Sequence, residues 1–292
     1  MGFASDLKIL YHLALKPVRG KDHAARMENF YSGQAEGYDD FRKRLLKGRQ
    51  ELWNLIQPPA GGTWLDMGGG TGANLDYFGA RRGSGDPAET ADRRVFDAAV
   101  TGDLRSNDST GSGDPRTTGA GDPRTTGAGR LGGLKKIYVL DLSHSLLEIA
   151  KQRIVEKGWT NVETVEADAT TFQPAEGPLD VVTFSYSLTM IPDWFAALEN
   201  ALAMLKPGGI LGVVDFYVSR KYPSDGLTRH RWTTRTFWPT WFGMDNVFPS
   251  PDHVPYLHRH FDVLHFEEHL AKVPYIPLMR TPYYLFVGRK RG

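Results

Sequence analysis

The chain has 292 residues and not one cysteine. That excludes a disulfide framework, a thiol nucleophile and any cysteine-ligated zinc or iron–sulfur centre. A charge surplus is also missing: 35 Lys and Arg face 34 Asp and Glu, a net charge of +1. Proteins that neutralise a phosphate backbone carry a marked basic excess, so no nucleic-acid partner is expected. Long apolar runs are absent too. The best candidate, Ile210 to Val218, is interrupted by Asp215 and falls well short of the roughly 20 residues that span a bilayer. At the N-terminus Asp6, Lys8 and His12 break any apolar stretch, so no secretory signal is expected. Asp6 also stands where myristoylation after Gly2 wants Ser or Thr. The expectation is a cytoplasmic protein, soluble or peripheral to an internal membrane such as the endoplasmic reticulum.

Residues 81–134 stand apart from the rest. They hold 11 Gly, eight Arg and eight acidic residues, and they repeat the octamer GDPRTTGA at 113–120 and 121–128. Two apolar-free octamers offer no face to bury, so a disordered low-complexity insertion is expected. On either side, apolar strands alternate with helical segments. Thr63 to Met67, Ile137 to Leu140, Val162 to Val165, Val181 to Ser185 and Ile210 to Phe216 read as strands, with Val263 to Glu267 and Tyr283 to Val287 as two more. The alternation predicts an α/β fold: a Rossmann-like, doubly wound, seven-stranded parallel sheet over 51–292. Residues 1–50 are expected to form a helical lid, and 216–261 a substrate cap.

Chemistry concentrates after the first strand, in Leu65-Asp66-Met67-Gly68-Gly69-Gly70-Thr71-Gly72. Glycines between a strand and a helix let a ligand approach the backbone and aim N–H groups at an anionic or carboxylate-bearing group. Gly68, Gly70 and Ala73 satisfy a relaxed dinucleotide fingerprint, which alone is a weak signal. Asp66 with Gly68, Gly70 and Gly72 also fits the first motif of S-adenosylmethionine-dependent methyltransferases, an acid two residues before G-x-G-x-G. Further matches to that class follow in order. Asp141 ends the second strand, where a carboxylate can accept from ribose hydroxyls, and Leu142 follows it. Asp168 and Ala169 follow the third strand, at the position that resembles the class's contact to the adenine amine. Ser185 closes the fourth strand, and Leu205-Lys206-Pro207-Gly208-Gly209 resembles the turn before the fifth. A dehydrogenase stays as the minor alternative.

Two segments resemble a narrower group. His23-Ala24-Ala25-Arg26-Met27-Glu28-Asn29-Phe30-Tyr31, continuing through Tyr38 to Leu46, and Ser185 to Trp194 look like the methyltransferase part of betaine-lipid synthases. The resemblance implies S-adenosylmethionine as cofactor and trimethylation of the amine of diacylglycerylhomoserine. It also implies a lipid head-group substrate at a membrane surface and a separate partner for the aminocarboxypropyl transfer. The alternatives are methylation of a small soluble amine, or a non-catalytic lipid-binding partner with a nucleotide fold.

Methyl transfer to an amine needs alignment and exclusion of water more than it needs a strong base. Tyr31 and Tyr38, before the first strand, and Tyr186, on the ligand side of an open sheet, are the candidate catalytic positioning residues. The segment 216–261 interleaves aromatic and basic residues, which suits a head group or a membrane interface. Arg229, Arg231 and Trp232 are its candidate substrate-binding residues. No metal is expected, because His258 and His260 have no matching carboxylates in sequence.

Overall fold

The computed structural model describes residues 21, 28, 44–79, 131–274, 276 and 279–292. Tyr31, Tyr38 and the insertion through residue 130 lie outside the described residues, as does most of the expected N-terminal lid.

Helix α1 (Arg49–Leu55) leads into β1 (Thr63–Met67), a 3₁₀ helix (Ala73–Gly79) and β2 (Lys136–Asp141). Then come α2 (His144–Lys157), β3 (Val162–Glu166), β4 (Leu179–Ser185), a short 3₁₀ turn (Leu188–Met190), α3 (Trp194–Met204) and β5 (Leu205–Phe216). Helices α4 (Trp232–Gly243) and α5 (His253–His260) precede β6 (Phe261–Lys272) and β7 (Arg280–Lys290). The strands form one sheet in the order β3-β2-β1-β4-β5-β7-β6.

Five of the strands run parallel, as the alternation predicts. The expected all-parallel sheet is corrected at one strand: β7 lies antiparallel between β5 and β6. The cause is connection length. Only 273–279 join β6 to β7, too few for the dozen or more residues of a parallel crossover.

All five residues of β1 are buried, the mark of a strand covered on both faces. Trp64 points to one side, stacked on Trp53 at 5.7 Å and edge-on to Phe78 at 4.9 Å. Its indole N–H donates to Thr183 Oγ1 at 2.9 Å, so the burial strands no polar atom. Leu65 and Met67 join the second core, with Leu140, Phe184 and Leu198. Ser143 caps α2 and Asp193 caps α3 with side-chain oxygens.

Three expected boundaries shift. Leu131 and Leu134 are buried, and both carbonyls accept from Asn161 Nδ2 at 2.8 Å. Residues 131–134 therefore belong to the folded domain and not to the insertion. Arg49 and Gln50, assigned to the lid, are the first turn of α1, whose Leu52 and Trp53 are fully buried in the sheet domain. The expected cap is divided: α4 packs Trp238 and Phe242 into one core, and α5 packs Val254 and Leu257 into the other.

Candidate cofactor-binding site

A cleft of about 440 Å³ opens at the C-terminal ends of the parallel strands. Strand order reverses between β1 and β4, the place where open α/β sheets bind ligands. Gly68, Gly70, Asp141, Asp168, Tyr186 and Ser187 are among its walls.

The glycine loop is shaped by close packing. Gly68 has φ +70°, and a Cβ there would lie 2.3 Å from Ser187 Cβ. Only glycine permits both the left-handed backbone and the contact. Ser187 Oγ in turn donates to the Met67 carbonyl at 2.6 Å, which fastens the loop after β4 to the end of β1. The loop N–H groups are not free to cradle an anion. Gly68 N and Gly69 N donate to the Leu140 carbonyl at 2.8 and 2.9 Å, and Gly70 N donates to Asp141 Oδ2 at 2.9 Å. This corrects the expectation of N–H groups aimed at a ligand, and it disfavours a dinucleotide, whose pyrophosphate needs them.

Asp66, which the motif match makes an expected cofactor-binding residue, does not line the cleft. It is fully buried beneath the loop, accepting from Asn74 Nδ2 and Thr183 Oγ1, each at 2.9 Å. Burial pushes its carboxyl up to about 6, against the hydrogen bonds from Asn74 and Thr183 and the nearby Arg49 guanidinium. Arg49 Nη1 reaches Asn74 Oδ1 at 3.4 Å, so α1 braces the loop through Asn74. Sequence reasoning missed Asn74 and Arg49. The acid is a scaffold for the loop, not a wall of the cleft. Gly72 also stands back from the cleft, turning at φ +69° against Ala150.

Asp141 and Asp168 do reach the cleft. Asp141 is fixed by Gly70 N on one oxygen and Ser143 N on the other, both at 2.9 Å. A carboxylate has about four acceptor sites, and these two bonds fix how this one is presented at the cleft wall. Asp168 Oδ1 accepts from Thr170 N at 2.8 Å and Thr170 Oγ1 at 2.7 Å, which aims the carboxyl and leaves Oδ2 for an amino group. Leu142 and Ala169 complete that end with apolar surface. Asp193 is a third carboxylate in the wall, and among the described residues no Lys, Arg or His lines the cleft. Two aimed carboxylates, apolar walls and a negative character fit a nucleoside bearing positive charge.

Ser185 does not take part. It is buried, and its Oγ has no hydrogen-bond partner among the described residues. Tyr186 adopts φ +55°, and this kink brings the next two residues, 186 and 187, to the cleft in place of 185. A two-residue period could not reveal it. The phenol of Tyr186 is committed: its OH donates to the Lys47 carbonyl at 2.7 Å. The ring stands edge-on to Phe216 at 4.7 Å. Its expected catalytic role is therefore corrected to wall and clamp, holding the chain just before α1. Tyr186→Phe is expected to retain turnover within about threefold and to lose about 1 kcal/mol of stability in denaturant unfolding, as for one neutral hydrogen bond. A hundredfold loss of kcat with the fold intact would restore the phenol to the chemistry.

Arg229, Arg231 and Trp232 are also corrected. None lines this cleft; all three are exposed, and Trp232 begins the outer face of α4. Sequence reasoning passed over Glu28 as a site residue. Its carboxylate accepts from Ser143 Oγ at 2.8 Å and from the Ser145 hydroxyl and N–H, at the start of α2 beside Leu142. Burial raises its carboxyl, but the bonds from Ser145 and Ser143 prevail and hold it below the usual range. Asp215, fully buried, accepts from Thr189 Oγ1 at 2.7 Å and Thr189 N at 3.1 Å, which fixes the 188–190 turn. Burial pushes its carboxyl up to about 7.

Known proteins agree with this geometry. Residues 100–224 match the ubiE/COQ5 methyltransferase family, so the glycine loop itself lies outside the match. A ubiquinone/menaquinone biosynthesis C-methyltransferase of Pseudomonas fluorescens (strain SBW25) is 28% identical over 235 residues, covering 80% of this chain and 73% of that one. A demethylmenaquinone methyltransferase of Lactococcus lactis is 37% identical over 79 residues, 27% of this chain and 31% of that enzyme. The chain thus spans under a third of the Lactococcus enzyme. Among solved structures, a putative methyltransferase of Bacillus halodurans superposes with a TM-score of 0.54 at 14% identity, covering 84% of this chain and 99% of that one. A phosphoethanolamine N-methyltransferase of Haemonchus contortus gives 0.54 at 13%, covering 93% and 60%. At such identities these two likenesses establish the fold. The enzyme class comes from the family match and the sequence relatives, by which the chain is a methyltransferase that depends on S-adenosylmethionine.

Proposed function

We propose that the chain methylates the amine of a lipid head group, as its resemblance to the methyltransferase part of betaine-lipid synthases implies. Diacylglycerylhomoserine is the acceptor and diacylglyceryl-trimethylhomoserine the final product. S-adenosylmethionine supplies an electrophilic methyl on a sulfonium when bound. In this reading Asp141 would hold the ribose hydroxyls and Asp168 the adenine amine, with Leu142 and Ala169 against the ring.

The observation that carries the reading is the make-up of the walls. Either acceptor must lose a proton, but an α-amino group titrates at about 8 and then attacks through its own lone pair, whereas methylation at carbon needs a neighbouring hydroxyl, at about 10 for a phenol, to lose its proton. Among the described lining residues the one phenol is tied to Lys47, Asp141 and Asp168 are assigned to the cofactor, and Asp193 Oδ1 accepts from Ala196 N at the start of α3. From Tyr186 an aromatic run leads away from the cleft: Phe216 at 4.7 Å, Phe242 stacked on Phe216 at 4.7 Å, and Trp238 stacked on Phe242 at 5.2 Å. Of these rings Tyr186 lines the cleft, and an aromatic ring there favours a quaternary ammonium product by cation–π attraction. The second reading is C-methylation of a quinone precursor, as the names of the Pseudomonas and Lactococcus relatives suggest.

The test uses the full chain with radiolabelled S-adenosylmethionine and mixed vesicles containing diacylglycerylhomoserine, demethylmenaquinone kept reduced to its quinol, or neither. Label in a trimethylated head group is the expected result. Label in the quinone alone overturns the reading and establishes the second.

A further inference from the structure

We infer that the outer face of α4 is a membrane-docking surface that inserts shallowly into bilayers containing anionic lipid. On a helical wheel Trp232, Thr233, Thr236, Phe237, Thr240 and Met244, the residue just after the helix, fall within an arc of about 140°. All six are exposed, and none is charged. Trp232 exposes 72% of its surface, Met244 51% and Phe237 41%. A surface helix normally turns its charged residues to water; this one turns apolar side chains and threonines.

The threonines strengthen the inference. Thr240 Oγ1 donates to the Thr236 carbonyl at 2.8 Å, and Thr236 Oγ1 donates to the Trp232 carbonyl. These hydroxyls are satisfied inside the helix, so the face can leave water without stranding them. The opposite side, Trp238 and Phe242, is buried in the core.

Charge completes the pattern. Lys221, Arg229 and Arg231 lie just before α4 in sequence, are exposed, and form no ion pair among the described residues. Lys221 and Arg229 flank the ring of exposed Tyr222 at 5.3 and 5.4 Å. An apolar helix face with a basic, aromatic approach is complementary to anionic head groups above acyl chains. The surface is also tied to the cleft. Phe242 stacks on Phe216, which meets Tyr186, and Phe248 N donates to the Thr189 carbonyl at 2.7 Å, between two wall residues, Ser187 and Met190. The inference is independent of whether the acceptor is an amine or a quinone carbon.

The test is flotation of the full chain with phosphatidylcholine vesicles, with and without about a third phosphatidylserine, at low and high salt. Wild type is expected to float with the anionic vesicles and to be released by salt. Phe237→Glu should reduce the bound fraction about tenfold or more, and Arg229→Glu with Arg231→Glu should remove the preference for anionic lipid. Calorimetric titration with S-adenosylmethionine should give wild-type affinity for every variant, since none of these residues lines the cleft. Wild type that fails to float, or Phe237→Glu that floats as wild type does, overturns the inference. Wild-type self-association in ultracentrifugation that Phe237→Glu abolishes, without vesicle binding, assigns the face to a second copy and overturns it equally.

Discussion

Gly68→Val should lose S-adenosylmethionine binding by about a hundredfold or more in calorimetric titration. Two costs combine. A β-branched residue at φ +70° is strained by roughly 1–3 kcal/mol. Its Cβ would also occupy space 2.3 Å from Ser187 Cβ, which forces apart the loops that end β1 and β4. A loss of about 3 kcal/mol corresponds to roughly a hundredfold in affinity. The second cost has its own control. Ser187→Gly removes the colliding atom, so adding it to Gly68→Val should recover part of the affinity while the backbone strain remains. Full affinity in Gly68→Val would show that the loop does not meet the cofactor. No recovery in the double variant would show that the collision with Ser187 is not the cause.

Asp141→Ala is the second large effect, for a different reason. It removes the acceptor offered to the ribose and also strands two N–H groups, of Gly70 and of Ser143. Hydrogen bonds to a charged group contribute about 1.5–3 kcal/mol each, so affinity should fall by about 10²–10³-fold. Asp141→Asn keeps one acceptor oxygen and turns an amide N–H₂ toward a backbone donor; it should lie between wild type and alanine. Thermal unfolding separates ligand loss from fold loss. An alanine variant with affinity within threefold of wild type would remove Asp141 from the cofactor site.

How much of this was legible in the sequence differs by element. The parallel strands and α2 announce themselves, because apolar runs and helical periodicity report burial directly. Gly68 and Gly70 were legible because both hold backbone angles that glycine tolerates best. The direction of β7 was not, since a buried strand carries the same apolar pattern either way up; the signal was the seven residues that precede it. Ser187 was missed for Ser185 because the kink at Tyr186 breaks the two-residue alternation. Asp66 was found but misread. Its spacing to the glycines is the same whether the carboxylate faces a ligand or, as here, Asn74 and Thr183 under the loop. Arg49 and Glu28 were beyond reach, because their partners are distant in sequence: Arg49 meets a residue 25 positions on, and Glu28 residues 115 and 117 positions on.

The seal around residues 131–135 has an architectural consequence. Gly61 N donates to the Gly133 carbonyl at 2.7 Å and Lys135 N to the Gly62 carbonyl at 2.9 Å, so the chain is sewn to the start of β1 before β2 begins. Asp141 sits at the far end of β2, about 17 Å away along a six-residue strand. The repeat-bearing segment thus re-enters the fold on the side of the sheet edge opposite the chemistry. The place behaves as a splice site in the carpenter's sense: length and composition can change on one side of the joint while the grain on the other stays aligned. A reporter domain or a new pair of chain ends could be grafted there without touching the residues that face the cofactor.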